Sequence, residues 1–152
     1  MSVLLDAIRE VGSPQAQMSL IKTIKARTND SAFTDMALPV LGLTARPLKE
    51  TEALLLQLSE RSDNIGGQAK LLLGSLVNTL RTREPARSKS LLDELILRLK
   101  TDTHEPDTLV TLAALGNTGA PELLPHLAPW LSNTSTPQRS AAVSALRLIP
   151  GP

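Results

Sequence analysis

Two histidines and no cysteine are all that a chain of 152 residues offers for soft metal ligation or thiolate chemistry. His104 falls in a turn and His126 on a helix beside Pro125. With no cysteine in the chain, both read as surface or capping residues rather than zinc ligands. The carboxylate pairs Asp93-Glu94 and Glu50/Glu52 fall on faces expected to be exposed, without the apolar neighbours that would raise a pKa for acid–base work. Gly66-Gly67 invites comparison with a phosphate-binding loop, yet no strand precedes it and no Lys-Ser or Lys-Thr follows at Walker spacing. The patterns G-x-S-x-G, H-E-x-x-H and G-x-G-x-x-G do not occur. No enzymatic activity is expected, and no residue is assigned a catalytic, metal-binding or cofactor-binding role.

What remains are residues that could touch a partner. Arg81, Arg83, Arg87 and Lys89 straddle a turn between two helices and could meet phosphate. Glu84, Asp93 and Glu94 dilute that charge, and no aromatic is interleaved for base stacking, so a solvated turn is preferred. Lys22, Lys25 and Arg27 sit in the last turns of a helix, where cations favour the negative end of its dipole; a solvated face is preferred over an anion patch. Trp130, at the apolar end of a hairpin, is a core anchor or an exposed contact residue, and its position favours the core. Trp130, Arg81, Arg83 and Arg87 are therefore the candidate partner contacts. Asn29-Asp30-Ser31 and Asn133-Thr134-Ser135 fit the glycosylation acceptor pattern. A net charge of +1 exerts no long-range pull on nucleic acid or acidic membranes.

The elements that must carry these residues are helices. Phe33 and Trp130 are the only aromatics, so the core is made of Leu, Ala, Val and Ile, which suits helix packed on helix. Residues 107–131 read as one helical hairpin. Its first helix is apolar nearly all round through Leu109, Val110, Leu112, Ala113, Ala114 and Leu115, and so should be sandwiched between neighbours. It is expected to end at Gly116 in the left-handed conformation, with Asn117 and Gly119 continuing the turn. Pro121 should open the second helix, with Ala120, Leu123, Leu124, Leu127 and Leu131 as one apolar stripe.

From the start, Val3, Leu4, Ala7 and Ile8 make a short helix, and Ser13-Pro14 cap the next, buried through Leu20, Ile21 and Ile24. A third helix spans about residues 32–41 and contains Pro39, which should kink or shorten it. Residues 49–61 form an amphipathic helix through Leu54, Leu55 and Leu58, and residues 62–67 are expected to be a loop. Two further helices follow, through Ala69, Leu72, Leu73, Leu76 and Leu80, then through Leu92, Leu95, Ile96 and Leu99. Thr103 to Pro106 cap the hairpin's first helix. Thr136-Pro137 start the last one, through Ala141, Ala142, Ala145, Leu148 and Ile149. Residues 1–11 lack the features of a signal peptide, and nowhere do about 18 apolar residues run uninterrupted as a membrane span requires.

Val11-Gly12-Ser13-Pro14 and Thr118-Gly119-Ala120-Pro121 echo one another between a short apolar helix and an amphipathic partner. Helix pairs recurring roughly every 30 to 45 residues mark an α-solenoid. The expected fold is all-α: a single HEAT-like solenoid domain over residues 1–152, with about nine helices in antiparallel hairpins.

The run T-L-A-A-L-G-N-T-G-A-P ending at Pro121, then E-L-L-P-H-L-A-P-W-L and A-A-V-S-A-L-R-L-I-P, resembles the helical domain of the large lipid transfer proteins: vitellogenin, apolipoprotein B and the microsomal triglyceride transfer protein. L-L-D-A-I-R-E-V-G-S-P, L-T-A-R-P-L-K-E-T-E-A-L-L, L-L-L-G-S-L-V-N-T-L and L-L-D-E-L-I-L-R-L extend the resemblance backwards in the same order, over nearly all of the chain. It implies a two-layered, right-handed superhelix that wraps around lipid-cavity sheets and makes protein contacts. The absence of cysteine departs from animal members, and the β-barrel and cavity sheets of the family are not in this sequence. The expected role is a non-catalytic scaffold of a lipid carrier, possessing no cofactor. Its partners would be a protein or an adjacent β-sheet domain of the same parent, with lipid beyond it, and its location extracellular or secretory. A general HEAT-like interaction scaffold, located in the cytoplasm, is the alternative. Nucleic-acid binding of the HEAT-like glycosylase kind is disfavoured by near-neutral charge and scarce aromatics.

Overall fold

A computed structural model describes residues 12–151, and these form eight α-helices and one 3-10 turn, with no strand. The helices are α1 Pro14–Ala26, α2 Ser31–Gly42, α3 Lys49–Leu58, α4 Asn64–Leu80, α5 Pro85–Thr101 and α6 Glu105–Thr118. The 3-10 turn Pro121–Leu123 then leads into α7 Leu124–Leu131 and α8 Thr136–Ala145. The helix expected over residues 3–8 lies outside the described residues.

Side-chain caps set half of the described helix starts. Ser13 accepts from the Ala16 amide, Asp30 from Phe33, Asp63 from Gly66 and Ser135 from Gln138, each satisfying an amide that the first turn leaves without a helical partner. Proline follows the cap of α1, α5 and α8 as the sequence led one to expect. At α6 the cap position falls on His104, which makes no side-chain capping bond.

Neighbouring helices run antiparallel, and each even-numbered helix also packs on the next even one: α2 on α4, α4 on α6, α6 on α8. In the odd layer α1 and α3 meet less extensively, and α5 reaches α3 through side chains, Arg87 bridging Glu52. Two layers with contacts between near neighbours in sequence are the pattern of an α-solenoid, whose stability is a sum of local interfaces. The core between the layers is continuous and almost purely aliphatic, from Leu20 and Ile24 to Ala142 and Ala145.

Small residues set the spacing of the even layer. A Cβ at Gly74 would lie 1.9 Å from the Ala114 carbonyl oxygen, and one at Gly116 would lie 2.9 Å from Ala145 Cα. Helices this close place α6 between three neighbours, which accounts for its apolar circumference.

Several boundaries differ from the sequence reading. The helix at Gly116 does not stop there but runs to Thr118, and Gly119 takes the left-handed conformation at φ +58. Gly116 is instead needed for the close approach to α8. Gly12, at φ 53, and Gly119 are the positive-φ residues among those described, so the echo of the two Gly-x-Pro turns is conformational as well as textual. The stretch 62–67 is not a loop throughout: α4 begins at Asn64, and Gly66 lies under the Arg61 carbonyl where a Cβ would overlap it. Residues 59–61 leave the α3 helix as a turn. Leu124 is 50% exposed and Leu131 39%, so of the expected stripe Ala120, Leu123 and Leu127 are the residues buried. Leu148 and Ile149 lie beyond the end of α8.

Pro39 neither stops nor shortens α2, which continues to Gly42. The carbonyl that Pro39 cannot satisfy is that of Asp35, four residues earlier. Gln68 of α4 donates to it at 3.2 Å, replacing the lost bond from the neighbouring helix.

Asp63 carries the one large pKa displacement among the described residues. Hydrogen bonds from the Arg61 guanidinium and then the Gly66 amide hold its carboxyl at about 2, against an ordinary 3.8. A carboxyl lowered in the folded state adds stability that is present above the unfolded value and is lost as pH falls through the folded one. The α4 cap should therefore be insensitive to pH above about 4 and weaken between about 4 and 2. Carboxyl-carbon NMR titration checks this: an Asp63 midpoint near 3.8 would show that the cap does not hold.

Candidate functional site

The even and odd layers differ in charge. Exposed positions of α1, α3 and α5 carry Lys22, Lys25, Lys49, Glu50, Lys89, Asp93 and Lys100. On α2, α4, α6 and α8 the charged residues are Asp35, Lys70, Glu105, Asp107 and Arg139. Each of these makes a contact within the chain, although only Lys70 and Asp107 pair with an opposite charge. Lys70, nearly buried, reaches Asp107 at 3.5 Å between α4 and α6. Glu105 accepts from Ser135 at 2.7 Å, and Asp35 from Asn64 at 3.3 Å. Arg139 donates to the carbonyls of Asn133 and Thr134.

What the even layer presents outwards is mostly apolar or neutral. Helical spacing puts Met36 and Pro39 of α2, Leu71, Ser75 and Asn78 of α4, Val110, Ala113 and Asn117 of α6, and Ser140 and Ser144 of α8 on that side, all half-buried or exposed. A solvent-facing side of four helices would ordinarily be rich in Lys and Glu. Arg147, just beyond α8, brings one cation to this side, donating to the Asn117 side-chain oxygen at 2.5 Å. A side this broad and this poor in charge is the composition of a surface that is covered.

The candidate contact residues from the sequence fall elsewhere. Arg81 is half-buried and donates to the Gly119 carbonyl at 2.9 Å and to that of Thr118, tying α4 to the turn after α6. Arg87 bridges Glu52 of α3 at 3.0 Å and Glu84 at 2.7 Å, and donates to the Pro47 carbonyl at 3.2 Å. Burial opposes its charge, but the hydrogen bonds it donates to Glu84 and Glu52 outweigh that and raise its pKa above the ordinary guanidinium value. The expectation of a solvated turn thus needs correcting at these two residues, which staple helices together. Arg83 is exposed, and Lys89 pairs with Asp93 at 2.6 Å. Lys22, Lys25 and Arg27 are exposed; Arg27 pairs with Asp30 at 2.5 Å and stacks over Phe33.

Trp130 is half-buried against the core and, with Ile96, Leu99, Lys100, Pro125 and Pro129, lines a narrow groove between α5 and α7. His126 is half-buried at the same groove, and His104 is exposed at the start of α6. No group of three metal-ligating side chains occurs among the described residues, and no described helix is long and apolar enough to cross a membrane. Asn29 is exposed; Asn133 is half-buried, its side-chain oxygen accepting from the Ser135 amide at 2.8 Å.

A cleft of about 1000 Å³ that sequence reasoning missed lies at the edge where odd helices begin. Arg46, Lys49 and Arg83 line it together with Pro14, Pro47, Leu48 and Leu80. Arg46 and Lys49 carry no local sequence signal, since they meet Arg83 only through packing of the connection between α2 and α3 on the turn between α4 and α5. The charge-poor layer, in contrast, could have been found by tallying charge on alternate helices.

No curated protein matches the chain. A solved structure of lipovitellin, one concerned with lipid–protein interactions, superposes with a TM-score of 0.79 over 95% of this chain at 23% identity, and the chain spans 17% of that chain's length. The family model for the vitellogenin TPR domain matches residues 1–151. The resemblance read in the sequence, to the helical domain of the large lipid transfer proteins, is therefore sound, and this chain belongs to the vitellogenin TPR domain family.

Proposed function

We propose that the chain is a non-catalytic segment of a right-handed helical wall in a lipid-transport protein, and that its charge-poor even layer is covered by an apolar sheet of the same parent polypeptide, on whose far side lipid is held. The observation that carries this reading is the even layer itself. Its four helices carry few charged residues, each held by a contact within the chain, and Met36, Leu71, Val110 and Ala113 face outwards among mostly neutral neighbours. Membership of the family and the small share of the lipovitellin chain that this chain spans support an occupant from the same polypeptide. A wall of this kind works mechanically: stacked hairpins hold a curve while the sheet seats on it. Placement in a secreted carrier follows from the same reading.

The test is to place Met36→Glu and Asn78→Glu together in the parent polypeptide and extract its lipid for mass spectrometry. Both positions are exposed and Asn78 gives up only a long 3.4 Å bond to the Asn117 carbonyl, so the isolated chain should lose little in melting temperature. Lipid per mole of parent should fall severalfold, because two carboxylates would have to be desolvated against the sheet. Ala53→Glu, on the charged odd layer, should leave lipid content unchanged. Undiminished lipid in the double variant, or a wild-type parent free of lipid, would overturn the reading.

A further inference from the structure

We propose that the cleft beside the connection between α2 and α3 binds a phosphate-bearing amphiphile, its phosphate held by Arg46, Lys49 and Arg83. The inference does not depend on what covers the even layer.

Charge accounting comes first. Of the four cations lining the cleft, Arg87 is engaged by Glu52 and Glu84. Arg46, Lys49 and Arg83 are exposed and have no carboxylate within bridging distance among the described residues. Once the Arg87–Glu84 pair is set aside, Glu50 is the one anion left on the lining, so the cleft keeps a positive excess. Two guanidinium forks and an ammonium suit a tetrahedral dianion, the forks through paired N–H donors and the lysine as a point charge. Leu48, the residue that caps α3, offers no side-chain oxygen, so the first amides of α3 add unsatisfied donors at the rim.

The walls are held from behind. Buried Gln17 donates to the carbonyls of Gly12 and Arg46 and accepts from the Leu48 amide, at 3.0, 2.9 and 3.0 Å. Arg87 fixes Pro47 through its carbonyl. A loop pinned at three consecutive residues presents its cations with little ordering left to do on binding.

Size and polarity then choose between phosphate alone and phosphate on an apolar body. A volume near 1000 Å³ is that of a pocket for a whole organic ligand. Pro14, Pro47, Leu48 and Leu80 give it apolar surface next to the cations. A headgroup phosphate with the upper part of its acyl chains fills both kinds of surface; inorganic phosphate fills one.

The experiment is amide NMR titration of the chain with dihexanoyl phosphatidic acid, below its micelle concentration, and with inorganic phosphate. Saturable shifts at Arg46, Lys49 and Arg83, with the amphiphile binding more tightly, are expected. The pair Arg46→Gln and Arg83→Gln should weaken it about tenfold or more. The pair Lys22→Gln and Lys25→Gln, which removes equal charge from exposed positions of α1, should leave affinity unchanged. Equal affinity for inorganic phosphate would overturn the amphiphile and assign the cleft to the free ion. Absence of saturable shifts, or equal loss in the α1 control, would overturn the site. The parent's lipid content does not enter this test, so this proposal and the covered-face reading fail separately.

Discussion

Gly74→Ala should destabilise the chain by about 3 kcal/mol or more, enough to unfold a marginal domain. The added methyl would overlap the Ala114 carbonyl oxygen at 1.9 Å and its carbon at 2.8 Å. Backbone cannot rotate aside, so α4 and α6 must separate along the most extensive helix contact in the stack. Alanine's better helix propensity, about 1 kcal/mol, offsets only part of this. Gly67→Ala, seven residues earlier on the same helix, is the matched control. Its Cβ would meet Val110 Cγ1 at 3.9 Å, an ordinary contact, so it should stabilise by about 0.5 kcal/mol through propensity alone. Urea denaturation of both variants checks the pair. If the two glycines respond alike, the spacing of the even layer is not set by Gly74.

Gln17→Leu should cost about 3 kcal/mol. The side chain is 1% exposed and uses all of its amide: two donations to the Gly12 and Arg46 carbonyls, and two bonds accepted from the Leu48 amide and the Thr51 hydroxyl, the last at 3.1 Å. Leucine fills similar space but orphans four polar groups at a point where α1, the Gly12 turn and the start of α3 meet. Thr51→Val removes one donor while the Gln17 oxygen keeps Leu48, so it should cost about 1 kcal/mol. Hydrogen exchange gives an independent reading: the Leu48 amide should lose protection in Gln17→Leu well before amides in the middle of α4. A Leu48 amide as slow as in the wild type would mean that Gln17 does not hold the connection between α2 and α3.

The family fold was legible because it rests on local signals. Serine or aspartate before proline or an aliphatic run starts helices, leucine at helical spacing gives each a buried stripe, and recurrence at a steady period makes a stack. Those signals are short-range, and they placed the described helices in their order, though not all of their bounds. They misjudged glycines. Gly116 and Gly66 look like breakers in the sequence, yet both lie inside helices because another segment's backbone passes where a Cβ would be. Pro39 looks like a breaker for the same reason, and only the presence of Gln68 on α4 makes it harmless.

Charge followed the same division. That the chain is near neutral and has scarce aromatics was plain from composition, and it disfavoured nucleic acid. Which cations are available was not, because availability depends on partners distant in sequence. Arg81 finds the turn after α6 and Arg87 finds Glu52 and Pro47, while Arg46, Lys49 and Arg83 are left facing one cleft. By itself, then, the sequence determined the helices, their order and the family, since these follow from local propensity and periodic burial. The tertiary structure alone decided the spacing of the even layer, the face left poor in charge and the cations left without partners, because each depends on what a distant helix brings into contact.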